Sequence, residues 1–146
     1  DILIKNSKLR PIKANKSYYS KATDEYPIMF VMAALIKGTS VFEGIKDLAN
    51  KESNRIIEMQ KILKQIGVKS ISSKNSLKIY GKGIFKAKNK KIFVPNLGDH
   101  RICMSAFVLA LLTGASTSIK NFETVNTSSP SFLKIMKNLG AKFEKR

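Results

Sequence analysis

The chain has 146 residues, 43% of them apolar, and a formal net charge of +17. This length and apolar share are typical of one ordinary domain with its own core, and they argue against disorder. No run approaches the roughly 18 apolar residues of a membrane span, no signal peptide is recognised, and the single cysteine, Cys103, allows neither a disulfide framework nor a metal cluster. We therefore expect a cytoplasmic protein with no cofactor and no membrane partner.

The positive charge comes mostly from lysines that are spread along the whole chain. Such a charge attracts anions, so a basic nucleic-acid-binding module is one alternative. That class is expected to carry stacking aromatics on its basic surface, and the chain has no tryptophan. The four arginines are more informative, because a guanidinium grips a carboxylate or phosphate with two parallel hydrogen bonds. Arg55 and Arg101 both lie near predicted helix starts.

Strands and helices alternate along the chain. The elements predicted in the first part are a strand and turn over 1–12, a buried helix from Asp24 to Gly38, a strand over 40–45, an amphipathic helix over 51–66 and strands over 68–72, 77–81 and 91–95. Asp24 or Glu25 is the candidate N-cap of the buried helix, and Pro27 suits its first turn.

The same plan then begins again. The second part is predicted to hold a nearly all-apolar helix capped by Asp99 and closed by Gly114, a strand over 116–122, a helix starting around Pro130 and a last strand over 141–146. The segments LKQIGVK and MKNLGAK end the two copies about 75 residues apart, and a unit repeated at fixed spacing indicates a repeat architecture. We therefore predict an α/β fold of repeated units, with buried helices inside and amphipathic helices outside.

The amphipathic helix carries charges beside its apolar face. That face is formed by Ile56, Met59, Ile62, Leu63 and Ile66. Glu52 and Arg55 are spaced so as to project along it, which fits either a buried ion pair or a functional site. Helix starts present unpaired N–H groups, so three converging starts would bind a small polyanion, although simple capping also explains Asp24 and Asp99.

Three motifs lie at these helix starts: DEYPI (24–28), NKESNR (50–55) and GDHRICMS (98–105). In this order and spacing they resemble the C-terminal part of the EPSP synthase family, 3-phosphoshikimate 1-carboxyvinyltransferase. The resemblance covers nearly the whole chain and implies an inside-out α/β barrel whose two lobes are each made of three β-α-β-α-β-β units. The chain would supply about two units of the C-terminal lobe of an enolpyruvyl transferase, roughly 1–81 and 82–146, with the N-terminal lobe absent.

The resemblance also implies a reaction: the enolpyruvyl group of phosphoenolpyruvate passes to the 5-hydroxyl of shikimate 3-phosphate and phosphate is released. This step belongs to the shikimate pathway, which leads to chorismate and the aromatic amino acids. By motif position, the implied roles are a proton acceptor at the shikimate hydroxyl for Asp24, a contact of shikimate 3-phosphate for Lys51, proton transfer at the enolpyruvyl methylene for Glu52, and binding of phosphoenolpyruvate for Arg55 and Arg101, with His100 beside the latter.

Two departures qualify these roles. Thr127 stands where many members of the family carry a lysine, so a third cation on phosphoenolpyruvate is not expected. The contacts that the family places in its other lobe have no match, so we expect the chain alone to be inactive and the full-length protein, as a monomer, to need that lobe. The related UDP-N-acetylglucosamine enolpyruvyl transferase is an alternative, against which the KESNR segment argues.

Overall fold

The structure is a computed structural model that describes residues 3, 5 and 7–145. Its helices are α1 (Lys16–Ala22), α2 (Tyr26–Leu35), α3 (Arg55–Gln65), α4 (His100–Thr113) and α5 (Phe132–Asn138). Its strands are β1 (Lys13–Ala14), β2 (Gly38–Glu43), β3 (Lys69–Ser73), β4 (Ser76–Gly81), β5 (Lys91–Val94) and β6 (Ser116–Ile119). Short 3₁₀ helices cover Thr23–Glu25, Lys46–Asn50 and Phe122–Thr127. Within the described residues, none of the helices has the length and apolar character needed to cross a membrane.

The strands form two sheets. The first has the order β1-β2-β4-β3, in which β1 and β2 are parallel while β4 is antiparallel to both of its neighbours. The second pairs β5 with β6 in parallel. A parallel pair requires a crossover connection, and α2 and α4 lie in the two crossovers.

The element order repeats along the chain. Each copy contains a strand, a buried helix, a strand parallel to the first, a 3₁₀ helix and a second helix. The 3₁₀ helices Lys46–Asn50 and Phe122–Thr127 were not predicted, and the second begins at the end of the strand expected over 116–122. The mixed α/β architecture is confirmed, whereas the strand expected at the end of the second copy is not formed in residues 141–145.

The buried helices lie in the centre of a shared core. α2 packs against α4 and β4, and Tyr26, Phe30 and Phe42 form a cluster of edge-to-face aromatic contacts there. The predicted apolar face of α3, from Ile56 to Ile66, is buried as expected. One continuous core therefore holds the starts of α2, α3 and α4 in place.

The close approach of α2 to β4 depends on Gly81. A Cβ atom at this position would collide with the carbonyl oxygens of Ala33 and Ile36 at the end of α2. The next residue, Lys82, donates its N–H to the Ala34 carbonyl at 3.0 Å. The missing side chain at Gly81 therefore lets the helix end rest directly on the strand.

Several predicted boundaries are wrong. α3 begins at Arg55 instead of 51, because Asn54 caps it by accepting a hydrogen bond from the Ile57 N–H. α5 begins two residues after Pro130, and β6 ends at Ile119. The described residues of 1–12 form no strand, and those numbered 1, 2, 4 and 6 lie outside the description. Residues 141–145 also form no strand, and position 146 lies outside the description.

Candidate active site

Three helix starts meet at one place in the fold. Asp24 lies in the 3₁₀ helix directly before α2, Arg55 is the first residue of α3, and Asp99 is the N-cap of α4. Hydrogen bonds between their side chains join them, so the predicted convergence is present. We call the group formed with two neighbouring side chains the ion cluster; its members are Asp24, Glu52, Arg55, Asp99 and Arg101.

Arg55 is the centre of the ion cluster. Its side chain is only 1% exposed, and its guanidinium donates to three carboxylates. Nη2 lies 2.6 Å from Glu52 Oε2, Nη1 lies 3.2 Å from Asp24 Oδ1, and Nε lies 2.9 Å from Asp99 Oδ2. Burial alone would lower the pKa of Arg55, but the hydrogen bond and charge of Asp99 outweigh it, so the pKa is raised and the charge is retained.

Asp99 forms the floor of the cluster. Its side chain is fully buried and accepts from Arg55, from the Ser53 hydroxyl at 2.8 Å and from the Arg101 N–H at 3.0 Å. Burial would raise its pKa, but the hydrogen bonds from Arg55 and Ser53 hold the pKa below its ordinary value. Asp99 is therefore a carboxylate at neutral pH although no water reaches it.

The outer layer of the cluster is open to solvent. The side chains of Asp24 and Glu52 are 49% and 47% exposed, and that of Arg101 is 30% exposed. Arg101 Nη2 lies 3.3 Å from Asp24 Oδ2, and its Nη1 donates to the Asp24 carbonyl at 3.1 Å. Its Nε is buried and has no hydrogen-bond partner among the described residues. This layer thus offers two accessible carboxylates and a partly exposed guanidinium.

Lys51 and His100 stand apart from these contacts. Lys51 is exposed and makes no hydrogen bond or ion pair with any described residue. His100 Nε2 lies 3.1 Å from the Ser128 hydroxyl. The structure therefore brings together four of the six predicted site residues through direct contacts, and it leaves these two beside the group.

Tyr19 and Tyr26 border the same region. Their rings lie 5.7 Å apart, and both hydroxyls are buried without a hydrogen-bond partner among the described residues. Burial raises the pKa of Tyr19, and the charges of Asp47 and Asp24 add to this rise while Arg55 opposes it. Tyr19 therefore lies within the electrostatic field of the ion cluster, although α1 was not part of any predicted site.

The outer layer of the cluster is exposed to solvent and does not line the two cavities that run along α3. One cavity of about 450 Å³ is lined partly by Lys61, Lys64 and Lys69, and another of about 270 Å³ lies beside Phe93. The ion cluster lines neither of them. We give more weight to the cluster, because shallow grooves between surface lysines lack convergent polar groups. In the described part of the chain, no three His, Cys, Asp or Glu side chains are grouped to hold a metal ion.

Comparison with known proteins decides the family. The family described as EPSP synthase (3-phosphoshikimate 1-carboxyvinyltransferase) matches residues 2–136. The chain belongs to the EPSP synthase family. A 3-phosphoshikimate 1-carboxyvinyltransferase from Thermoanaerobacter sp. is 37% identical over 134 residues, which cover 92% of this chain and 31% of that protein. One from Zymomonas mobilis is 35% identical, covering 99% of this chain and 32% of that protein.

Solved structures agree with the EPSP synthase assignment. The EPSP synthase of Acinetobacter baumannii has a TM-score of 0.84 and 31% identity, covering 94% of this chain and 32% of that one. The enolpyruvyl transferase NikO of Streptomyces tendae has a TM-score of 0.62 at 15% identity, which shows a shared fold. The mixed α/β structure is thus consistent with a part of the inside-out barrel. The chain spans about a third of the length of the curated relatives it matches.

The EPSP synthase motifs predicted which residues meet, but not how they meet. Glu52 lies before α3, outside its first turn, and the Glu52–Arg55 pair is buried only on the arginine side. Glu25 instead of Asp24 occupies the N-cap position of α2, and its side chain makes no capping bond. Asp24 is therefore free to bind both arginines.

Two contributors were not predicted as site residues. Asp99 was interpreted as a helix cap, and Ser53 was not assigned any role, although both lie inside the motifs that carry the family resemblance. Their sequence positions were the one available signal for a role in the site, because Ser53 follows Glu52 and Asp99 precedes His100, which were both predicted site residues. Sequence alone does not show that one carboxylate accepts from Ser53, Arg55 and the start of α4 together.

Proposed function

We propose that this chain forms about two repeat units, roughly 1–81 and 82–146, in the C-terminal lobe of a complete 3-phosphoshikimate 1-carboxyvinyltransferase. That enzyme would transfer the enolpyruvyl group of phosphoenolpyruvate to the 5-hydroxyl of shikimate 3-phosphate. Family membership and the names of the relatives support this proposal. One observation carries the proposal: Asp24 and Glu52 both bind the guanidinium of Arg55, and Arg101 binds Asp24.

The reaction requires three proton transfers. The 5-hydroxyl loses its proton as its oxygen adds to the central carbon of phosphoenolpyruvate, while the methylene carbon gains a proton. The tetrahedral adduct then returns a proton from the new methyl group and expels phosphate. In this proposal Asp24 accepts the hydroxyl proton, and Glu52 transfers the proton to and from the methylene carbon. Both carboxylates are about half exposed and are held by Arg55.

The anionic substrates need cations that are not already saturated. The Arg101 side chain is 30% exposed and its guanidinium contacts only Asp24 among the described residues, and the Lys51 side chain has no partner among them. Arg55 donates to three carboxylates through four of its five N–H groups, so phosphoenolpyruvate would use the remaining Nη1 N–H or one that Glu52 or Asp24 releases. We therefore propose that Arg101 and Arg55 hold phosphoenolpyruvate, that Lys51 contacts shikimate 3-phosphate, and that His100 lies beside Arg101 at the edge of the substrate-binding site.

The test is steady-state kinetics on the complete enzyme. Arg101→Lys keeps the charge but removes the planar fork, and we expect the KM for phosphoenolpyruvate to rise about 10- to 100-fold, as for the loss of one charge-assisted hydrogen bond. Glu52→Gln should instead lower kcat by about 100-fold or more. Arg10→Lys, at an exposed arginine outside the ion cluster, is the matched control.

These outcomes separate the assigned roles. If Arg101→Lys raises the KM values of both substrates equally, the arginine is not specific for phosphoenolpyruvate. If Glu52→Gln leaves kcat unchanged, the carboxylate does not transfer the proton. If the complete enzyme turns over UDP-N-acetylglucosamine in place of shikimate 3-phosphate, the proposed substrate is wrong.

A further inference from the structure

Asp99 accepts more hydrogen bonds than a helix cap needs. Its Oδ1 accepts from the N–H groups of Arg101 and Ile102 at 3.0 and 3.4 Å, which is the capping interaction of α4. Its Oδ2 accepts from Arg55 Nε at 2.9 Å and from the Ser53 hydroxyl at 2.8 Å. One carboxylate thus joins the starts of α3 and α4, and the two bonded residues Arg55 and Asp99 are 44 positions apart in the sequence.

The other capped helices show that capping does not require this arrangement. The N-caps of α1 and α3 are neutral asparagines, Asn15 and Asn54, and each accepts from an N–H of its own helix. Asparagine, serine and aspartate are comparably good caps. Capping alone therefore does not explain why the fully buried residue 99 is an aspartate. Burying a charge is costly unless it is paired, so the carboxylate of Asp99 has a second role.

The second role of Asp99 is to orient the guanidinium of Arg55. Asp99 contacts Arg55 through both Nε and Nη2, at 2.9 and 3.4 Å, so it holds one edge of the planar group. Two-point contact fixes the plane of a guanidinium as well as its position. The remaining edge is then directed toward Asp24 and Glu52, in the solvent-exposed layer of the ion cluster.

Asp99 also fixes the second arginine. The same carboxylate that holds Arg55 accepts from the backbone N–H of Arg101, so the start of α4 and the guanidinium of Arg55 share one anchor. We propose that Asp99 is a positioning residue that sets the relative placement of Arg55 and Arg101, and that anion binding depends on it without any contact between Asp99 and the substrate. This inference rests on the proposed function for the identity of the anion, phosphoenolpyruvate.

The test compares two neutral replacements, Asp99→Asn and Asp99→Ser, in the complete enzyme. Both retain a capping oxygen for α4, but neither presents two carboxylate oxygens to Arg55 and Ser53. We expect the KM for phosphoenolpyruvate, and its dissociation constant from calorimetric titration, to rise about tenfold or more, since small displacements of a binding group carry large costs. The KM for shikimate 3-phosphate should change by less than about threefold.

Two controls separate positioning from stability. Asn54→Ala removes the cap of α3 without touching either arginine, so it should lower the melting temperature but leave the KM for phosphoenolpyruvate unchanged. Asp99→Asn placed on an Arg55→Lys background should add little further loss, because its effect passes through Arg55. If both Asp99 variants keep the wild-type KM and dissociation constant, or if the loss is undiminished on the Arg55→Lys background, the positioning role is wrong.

The two proposals fail in different ways. A wild-type enzyme that binds phosphoenolpyruvate but does not turn over shikimate 3-phosphate would refute the proposed function, while a weaker affinity in Asp99→Asn would still support the positioning role. Normal turnover with unaffected Asp99 variants would refute the positioning role alone. A wild-type protein that neither binds phosphoenolpyruvate nor turns over would refute both.

Discussion

Three carboxylates surround the buried guanidinium of Arg55, and its positive charge offsets the repulsion between them. Asp99 accepts from Nε and Nη2 along one edge of the Arg55 guanidinium, while Asp24 and Glu52 accept from Nη1 and Nη2 along the other, so the group satisfies all three carboxylates together. The pKa values of the innermost pair agree with this arrangement. Despite burial, the pKa of Arg55 is raised and that of Asp99 is lowered, so each partner keeps the other ionised. The pair is therefore a single electrostatic unit.

Stability should consequently fall in acid through Asp99. Its pKa in the folded state lies below the value of about 3.9 for an unfolded aspartate. The stabilisation is fully present above the unfolded pKa and is lost as the pH falls through the folded pKa. We expect the difference in unfolding free energy between the wild-type chain and Asp99→Asn, measured in urea, to be constant at pH 5 to 7 and to shrink below about pH 4. A difference that stays constant into strong acid would contradict this.

The sequence largely predicted which residues lie together in the ion cluster, but not which atoms contact one another. Asp24, Glu52, Arg55 and Arg101 were expected to converge because they mark successive helix starts. Asp99 was missed because capping fully explains an aspartate before an apolar helix. Its second oxygen serves another helix, and such long-range use of a side chain leaves no periodic signal.

Among the secondary-structure elements, Gly81 controls how closely α2 approaches β4. Gly81→Ala would place a methyl group against two carbonyl oxygens, which cannot move without shifting the helix end. We expect a loss of about 3 kcal/mol in unfolding free energy, at the upper end for overpacking. Gly140→Ala is the control, since its φ of 92° is strained but its surroundings are open, and it should cost about 1 kcal/mol. Equal losses in the two variants would show that the contact with α2 is unimportant.

Helix faces were predicted better than the ends of elements. The apolar stripe of α3 is buried as its period indicated. Gln65 lies outside this stripe, and its amide accepts from the N–H of Phe93 at 2.7 Å and donates to the Phe93 carbonyl at 3.1 Å, so it covers the edge of β5. The strand expected over 141–146 failed in its described residues because a strand needs a partner, and Phe143 instead packs its ring against Phe107. Such pairings depend on the tertiary structure.

On the scale of the whole molecule, the charge of the chain and the charge of the site differ. The net charge is +17, whereas the ion cluster and Lys51 together hold three cations and three carboxylates. The candidate site therefore has no surplus of positive charge. Specific anion binding must come from geometry, and geometry needs a second wall opposite the open layer of the cluster.

We accordingly predict that the 146-residue chain alone does not turn over. Phosphate release from phosphoenolpyruvate in the presence of shikimate 3-phosphate should stay at background, with the complete enzyme as the positive control. Binding of phosphoenolpyruvate, followed by NMR shifts of the Arg101 side chain, should be weak and abolished by moderate salt. Phosphate release by the isolated chain that is clearly above background would refute this prediction.

The long sequence separations within the ion cluster also affect the order of folding. Arg55 bonds Asp24 across 31 residues and Asp99 across 44, and Arg101 bonds Asp24 across 77. Closing such loops costs entropy before the contacts form. These bonds should thus be absent from the folding transition state, so that weakening them speeds unfolding and leaves the refolding limb of a stopped-flow chevron unchanged. The cluster would then determine the lifetime of the folded chain more than the speed with which it forms.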